Sequence, residues 1–113
     1  KYYDMPFWSF AHSVASNCMA DGMVYPTPTE EHIRVQVFMS LAYGAQGIQY
    51  FTYTCPNDAS YNYHDSPIDK DGNKTPVWYM VQNVNRDIIA LNDVFLGAEM
   101  AILTLRLPKD VCV

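Results

Sequence analysis

The chain contains no apolar run near the roughly 18 residues of a membrane-spanning helix, and Lys1 to Ser9 lack the basic-then-apolar order of a secretion signal. Neither a membrane span nor a leader is therefore expected within these residues. The sequence does not open on methionine, and a piece of a longer protein is the expectation. Cysteine is scarce: Cys18, Cys55 and Cys112 form an odd set without a CxxC spacing, which points to neither a zinc site nor a disulfide framework. No metal and no cofactor is expected. The seven basic residues, Lys1, Arg34, Lys70, Lys74, Arg86, Arg106 and Lys109, are scattered under a net charge of −5. A phosphate-tracking surface needs them clustered, so nucleic acid is not an expected partner and a neutral ligand fits better.

What the sequence has in quantity is apolar and aromatic surface. Half of its 113 residues are apolar and 17% are charged, the balance of a globular chain. Nine Tyr, five Phe and two Trp make 14% aromatics, more than a core of this size needs, so some rings belong on a surface or in a pocket.

Residues 5–14 (MPFWSFAHSV) are a short, aromatic-rich apolar run and predict a strand buried on both faces, as in a parallel sheet. Ala15 to Pro26 has no clear period and reads as loop. Thr27-Pro28-Thr29-Glu30 then matches a capping box with proline at the first helical position. The predicted helix spans 28–43, with Ile33, Val37 and Leu41 on one stripe beside Phe38 and Ala42, and Gly44 at the left-handed cap. After the two-residue link Ala45-Gln46, the β-formers of 47–54 predict a second strand, completing a parallel, right-handed βαβ unit. Cys55 to Lys74 is polar and turn-rich. Thr75-Pro76 opens a second helix over 76–96, where Val77, Val81, Val84, Ile88, Leu91 and Phe95 form the strongest periodic signal and Gly97 closes it. In 101–107, Leu103, Leu105 and Leu107 alternate with Thr104 and Arg106, which suits a strand with one wet face at the start of a following β-region, 99–113.

The stretch PTPTEEHIRVQVFMSLAYGAQGIQYFTY, from Pro26 to Tyr53, resembles the end of barrel glycosidases of the β-galactosidase kind and related polysaccharide-utilisation hydrolases. The resemblance is carried by Leu41, Ala42, Tyr43, Gly44, Ala45, Gly47, Ile48, Tyr50, Phe51 and Tyr53, and Thr75 to Tyr79 continue it. It implies an α/β fold in which residues 1–98 are the last two β/α units of a (β/α)8 TIM barrel. A whole barrel needs about 250 residues, so the rest of that domain is the implied partner. It further implies a carbohydrate substrate, hydrolysis of glycosidic bonds in a polysaccharide or oligosaccharide, and a secreted or periplasmic setting. A non-catalytic carbohydrate-binding or scaffold barrel, and a stand-alone small α/β domain, stay open as alternatives.

In such barrels the strand C-termini and the loops after them meet the substrate. That rule selects Ala11 to Ser13 with the loop to Pro26, and Tyr53 to Cys55 with the loop to Lys74. Strand parity puts Gln49, Phe51 and Tyr53 on one side, and the resemblance implies an aromatic platform for a sugar ring at Tyr53; the same residue packed between strand and helix is the bland alternative. Trp8, Phe10 and His12 share a parity, with His12 nearest the functional end; it offers a hydrogen bond to a sugar hydroxyl, or else a buried contact to a backbone carbonyl. Asp58, Tyr61, Tyr63, His64 and Asp65 in the second loop combine acids, aromatics and an imidazole that suit a subsite, with Tyr63, His64 and Asp65 the foremost candidates, although loop polarity alone also produces such a mixture. Asp69, Asp71 and Asn73 around Gly72 lack the spacing and terminal Glu of a calcium loop and read as a solvated turn.

Glutamate is the telling shortage. The resemblance implies a nucleophilic carboxylate at the end of the seventh strand, yet residues 11–13 read Ala-His-Ser, and the glutamates are Glu30, Glu31 and Glu99. The catalytic carboxylates are thus unassigned here and are expected upstream of Lys1, unless the barrel has another mechanism or has lost activity. Replacing Tyr53 by alanine is expected to weaken sugar binding by about 1 to 3 kcal/mol, the scale of losing a buried ring. Calorimetry on the full-length protein checks this, and unchanged affinity with an intact fold removes Tyr53 from the site.

Overall fold

A computed structural model describes residues 5–96. It is a mixed α/β arrangement with the element order β1 (Trp8–His12), β2 (Ala15–Cys18), β3 (Val24–Tyr25), α1 (Glu30–Ala42), β4 (Gly47–Phe51), β5 (Tyr61–His64), α2 (Pro76–Ala90) and α3 (Asn92–Phe95). The tail strand expected within 99–113, and the closing role of Gly97, lie outside the described residues.

β1 and β4 pair in parallel with Trp8 opposite Gly47 and His12 opposite Phe51, and α1 connects them. Both strands are shorter than the runs 5–14 and 47–54 that the apolar patterns suggest. The packed core is Ala11 from β1, Ile33 and Val37 from α1, and Val77 and Val84 from α2, with Phe38, Leu41, Ile48, Tyr50, Val81 and Ile88 against it. Both helical stripes therefore meet on one face of the parallel pair. The opposite face carries Trp8 and Phe10, 65% and 66% exposed.

Helix α1 starts two residues later than its sequence suggests. Thr29, extended at φ −101° and ψ 163°, is the cap, and its hydroxyl accepts the His32 N–H at 3.3 Å. Thr27 is released from capping and donates to Asp65 instead, at 2.6 Å. At the other end the helix closes in a Schellman motif: Gly44 N–H bonds Leu41 O at 2.9 Å and Ala45 N–H bonds Ser40 O at 3.0 Å. Gly44 sits at φ +89°, where a side chain is disfavoured.

Helix α2 also departs from expectation. Pro76 takes the first helical position, but the Thr75 hydroxyl donates backward to Ser66 O at 2.6 Å and makes no cap bond. The predicted single helix 76–96 stops at Ala90, because Leu91 leaves helical geometry at φ −106°, ψ 10°. Asn92-Asp93, residues that compete with helical backbone bonds, then open the short α3. Between the helices, Arg34 bridges Glu30 at 2.8 Å and Asp87 at 2.5 Å, and Asn83 donates to Glu30 at 3.1 Å. Asn83 and then Arg34 hold the Glu30 carboxyl below its ordinary range.

The segments after β1 and β4 are not plain loops. Ala15 to Pro26, which lacks a clear period, supplies β2 and β3 around a turn in which Asp21 accepts the Met23 N–H and Gly22 sits at φ +73°. β5 rises from the second polar segment, and the three form an antiparallel sheet in the order β3-β2-β5. Strands of two to four residues are too short to announce themselves by alternation, and long-range pairing of the two segments makes them.

Ile33 is fully buried at the centre of this core. Ile33→Ala is expected to cost about 2 to 5 kcal/mol through lost burial and a residual cavity. Denaturant unfolding of the full-length protein measures it, and a loss well under 1 kcal/mol would show that α1 is not packed as described.

Candidate functional site

Parallel pairing brings the C-terminal ends of β1 and β4 to one edge, and the antiparallel sheet stands beside that edge. Alternation along β2 and β5 puts Ser16, Cys18, Tyr61 and Tyr63 on one face, and Tyr25, opposite Ser16, joins them. This face meets the end of the parallel pair through a chain of ring contacts. Tyr61 and Tyr63 have centroids 5.7 Å apart, Tyr63 meets Phe51 edge-on at 6.2 Å, Phe51 stacks with His12 at 6.4 Å, and His12 tilts against Tyr25 at 5.6 Å.

His12 is fixed from two sides. Its backbone N–H donates to Gln36 Oε1 at 2.7 Å, while Gln36 Nε2 donates to His32 O at 3.0 Å, so a side chain of α1 holds the strand end. Burial lowers the imidazole pKa from its ordinary 6.5. The ring is therefore neutral near neutral pH and offers one donor and one acceptor nitrogen. Phe10, His12, Gln36 and Phe51 line a cleft of about 330 Å³ here. Ser13, fully buried, donates to Thr52 O at 3.1 Å and locks the two strand ends together.

Of the residues selected from sequence, His12 and Tyr63 come together around Phe51. Trp8 shares their sheet face but lies four residues back, about 13 Å along the strand. Its indole lies over Gly47, where an added Cβ would fall 2.7 Å from a ring carbon. His64 and Asp65 do not join the ring cluster: His64 pairs opposite Ala15 and turns to the other face of the sheet. There His64 Nδ1 lies 2.9 Å from Asp65 Oδ2.

Tyr53 is a correction of geometry. β4 ends at Phe51, so two-residue alternation does not extend to Tyr53. Phe51 faces His12, whereas Tyr53 lines a cavity of about 430 Å³ on the helix side with Tyr50, Pro67, Trp78, Asn85 and Arg86. Tyr50 donates to Asn85 Oδ1 at 2.7 Å, and burial pushes its hydroxyl pKa up to about 12. Lys74 Nζ sits 3.6 Å from the Trp78 ring centre, so one face of that indole is already occupied.

Tyr61 was among the residues of the second loop that sequence reasoning selected, whereas Phe51, Tyr25 and Gln36 were not singled out as site residues. Phe51 shares the parity that selected Tyr53, and the Tyr61-x-Tyr63 alternation was a usable signal. Tyr25 and Gln36 become visible only through tertiary pairing. Among the described residues, no set of three or more His, Cys, Asp or Glu is placed to hold a metal ion, and no helix is long and apolar enough to cross a membrane.

The chain matches the glycoside hydrolase family 42 model, described as beta-galactosidase, over residues 2–91, and it belongs to that family. No curated protein matches it.

The folded chain binds a proton at His12 less readily than the unfolded chain, so His12 leaves stability unaffected well above pH 6.5, where both states hold it neutral. It lowers stability progressively as the pH falls from 6.5 through the folded value. NMR titration of the full-length protein is expected to place His12 below 6.5. A value at or above that figure means the ring is not desolvated.

Proposed function

We propose that this chain is the closing part of a (β/α)8 barrel, residues 1–98, and that its strand ends bind the sugar of a glycosidic substrate. The observation that carries the sugar site is the ring chain Tyr61–Tyr63–Phe51–His12–Tyr25, assembled at the edge where parallel strands end. Flat ring faces suit the C–H face of a pyranose, and a neutral, anchored imidazole suits its hydroxyls. The family description, beta-galactosidase, supports reading that substrate as a β-galactoside within the broader class of oligosaccharides and polysaccharides.

The open face of the parallel pair supports the barrel reading. Trp8 and Phe10 lie on the side away from both helices, where a closed barrel has its interior filled with side chains from other strands. β1 and β4 each have one partner among the described residues, and each has a second edge for a neighbouring barrel strand.

Within this reading His12 and Tyr63 are central contacts and Trp8 lies deeper in the barrel. Tyr53, 64% exposed, is an outlying contact at the head of the helix-side cavity, with His64 and Asp65 on the outer rim. The carboxylates that break the glycosidic bond come from other strands, because the end of β1 offers His12 and the buried Ser13. That same feature favours the second reading, a barrel that binds carbohydrate without cleaving it.

Tyr63→Ala is expected to weaken galactose binding by the full-length protein by about 1 to 3 kcal/mol, the worth of one buried ring. Tyr43→Ala, an exposed ring at the far end of α1, should leave it unchanged. Calorimetry decides: equal effects, or no loss for Tyr63→Ala in a folded protein, would overturn the ring-chain site. Turnover of a galactoside by the unsubstituted protein separates the hydrolase from the binding barrel.

A further inference from the structure

Asp65 is the one described residue other than glycine with a positive φ, at 53°. Such a conformation is uncommon for a side-chain-bearing residue and persists where its surroundings demand it. One carboxylate oxygen, Oδ2, receives two contacts from different segments: the Thr27 hydroxyl donates at 2.6 Å, and His64 Nδ1 lies at 2.9 Å. Thr27 and then His64 hold the carboxyl below its ordinary pKa, so it is charged when it accepts both.

The positions of these residues give the contact its meaning. Thr27 follows β3 by two residues and precedes α1, while Asp65 directly follows β5. β3 and β5 are the outer strands of the rim sheet, and each bonds only to β2 between them. Tyr25 and Tyr63, one from each outer strand, stand two residues from the two ends of the bond. Without it, among the described residues, β3 with its Tyr25 is tied to β5 by the backbone ladder through β2 and by the ring contacts alone.

We propose that Asp65 is a positioning residue, which clamps the β3–α1 connector to the end of β5 through Thr27 and thereby holds Tyr25 against His12 and Tyr63 against Phe51 at the sugar site. The same oxygen also holds the His64 ring through Nδ1. The effect on ligand rests on the sugar reading above, whereas the clamp itself does not.

Three variants of the full-length protein test it. Asp65→Ala and Thr27→Val remove the bond from either side, while Asp65→Asn keeps an oxygen acceptor and tolerates the left-handed backbone. Hydrogen–deuterium exchange should rise across residues 24–28 in the first two and stay near the unsubstituted level in the third. Unchanged exchange in both deletion variants, or an equal rise in Asp65→Asn, would overturn the clamp. With a nitrophenyl β-galactoside as probe, Asp65→Ala should raise KM about threefold to tenfold at unchanged kcat, the scale of one net hydrogen bond. Asp65→Asn should restore KM, and a fall in kcat at constant KM would refute the positioning role. If the unsubstituted protein neither binds nor turns over the galactoside, the sugar reading falls and exchange alone decides the clamp.

Discussion

Two parallel strands joined by one helix must end at the same edge, and most of what this chain does follows from that constraint. β1 and β4 are parallel, so the segments that leave them emerge side by side. Neighbouring segments with unsatisfied backbone groups gain by pairing with each other, and here they make the rim sheet β3-β2-β5. The helices α1 and α2 occupy one face of the parallel pair because Ile33, Val37, Val77 and Val84 must be buried together. The ring chain at the strand ends is thus a product of direction first and composition second.

The same constraint divides the polar groups by task. Ser13, Gln36 and Thr75 spend their hydrogen bonds on backbone at chain junctions, where they hold strand ends and a helix entry in place. Glu30, Arg34, Asn83 and Asp87 join the two helices at the surface, where solvent screens such pairs and keeps each weak. Of these groups Gln36 reaches the aromatic edge, where it lines the cleft with Phe10, His12 and Phe51. That edge presents chiefly rings and one imidazole, the surface on which the proposal of a neutral ligand with apolar faces and hydroxyl edges rests. Belonging to the beta-galactosidase family gives that surface its natural context.

Helical features were legible in the sequence because they are local. The stripes Ile33–Val37–Leu41 and Val77–Val81–Val84–Ile88, the Gly44 cap and the short link to β4 all reflect spacings within a few residues. The cap of α1 was misread by two residues because Thr27 and Thr29 both precede suitable positions, and a bond to Asp65, 38 residues away, decides between them. The rim strands were illegible for a related reason: two to four residues of polar and aromatic type carry no period, and only their partners make them strands. At the site, His12 and Tyr63 followed from strand-end logic. Tyr53 was assigned to a face by an alternation that stops at Phe51, and Gln36 was hidden because its role lies across the sheet from its helix.

Gly47 and Trp8 give the open face of the sheet an evolutionary constraint as well as a shape. The indole occupies the volume that any side chain at position 47 would claim, with ring carbons at 2.7 to 2.9 Å from that point. Change at one position is therefore conditional on the other. A lineage can enlarge residue 47 only after residue 8 has become small or has turned away, and the two should vary together among relatives that keep this pairing register. Where Trp8 persists, glycine opposite it should persist too, as the space its neighbour already fills.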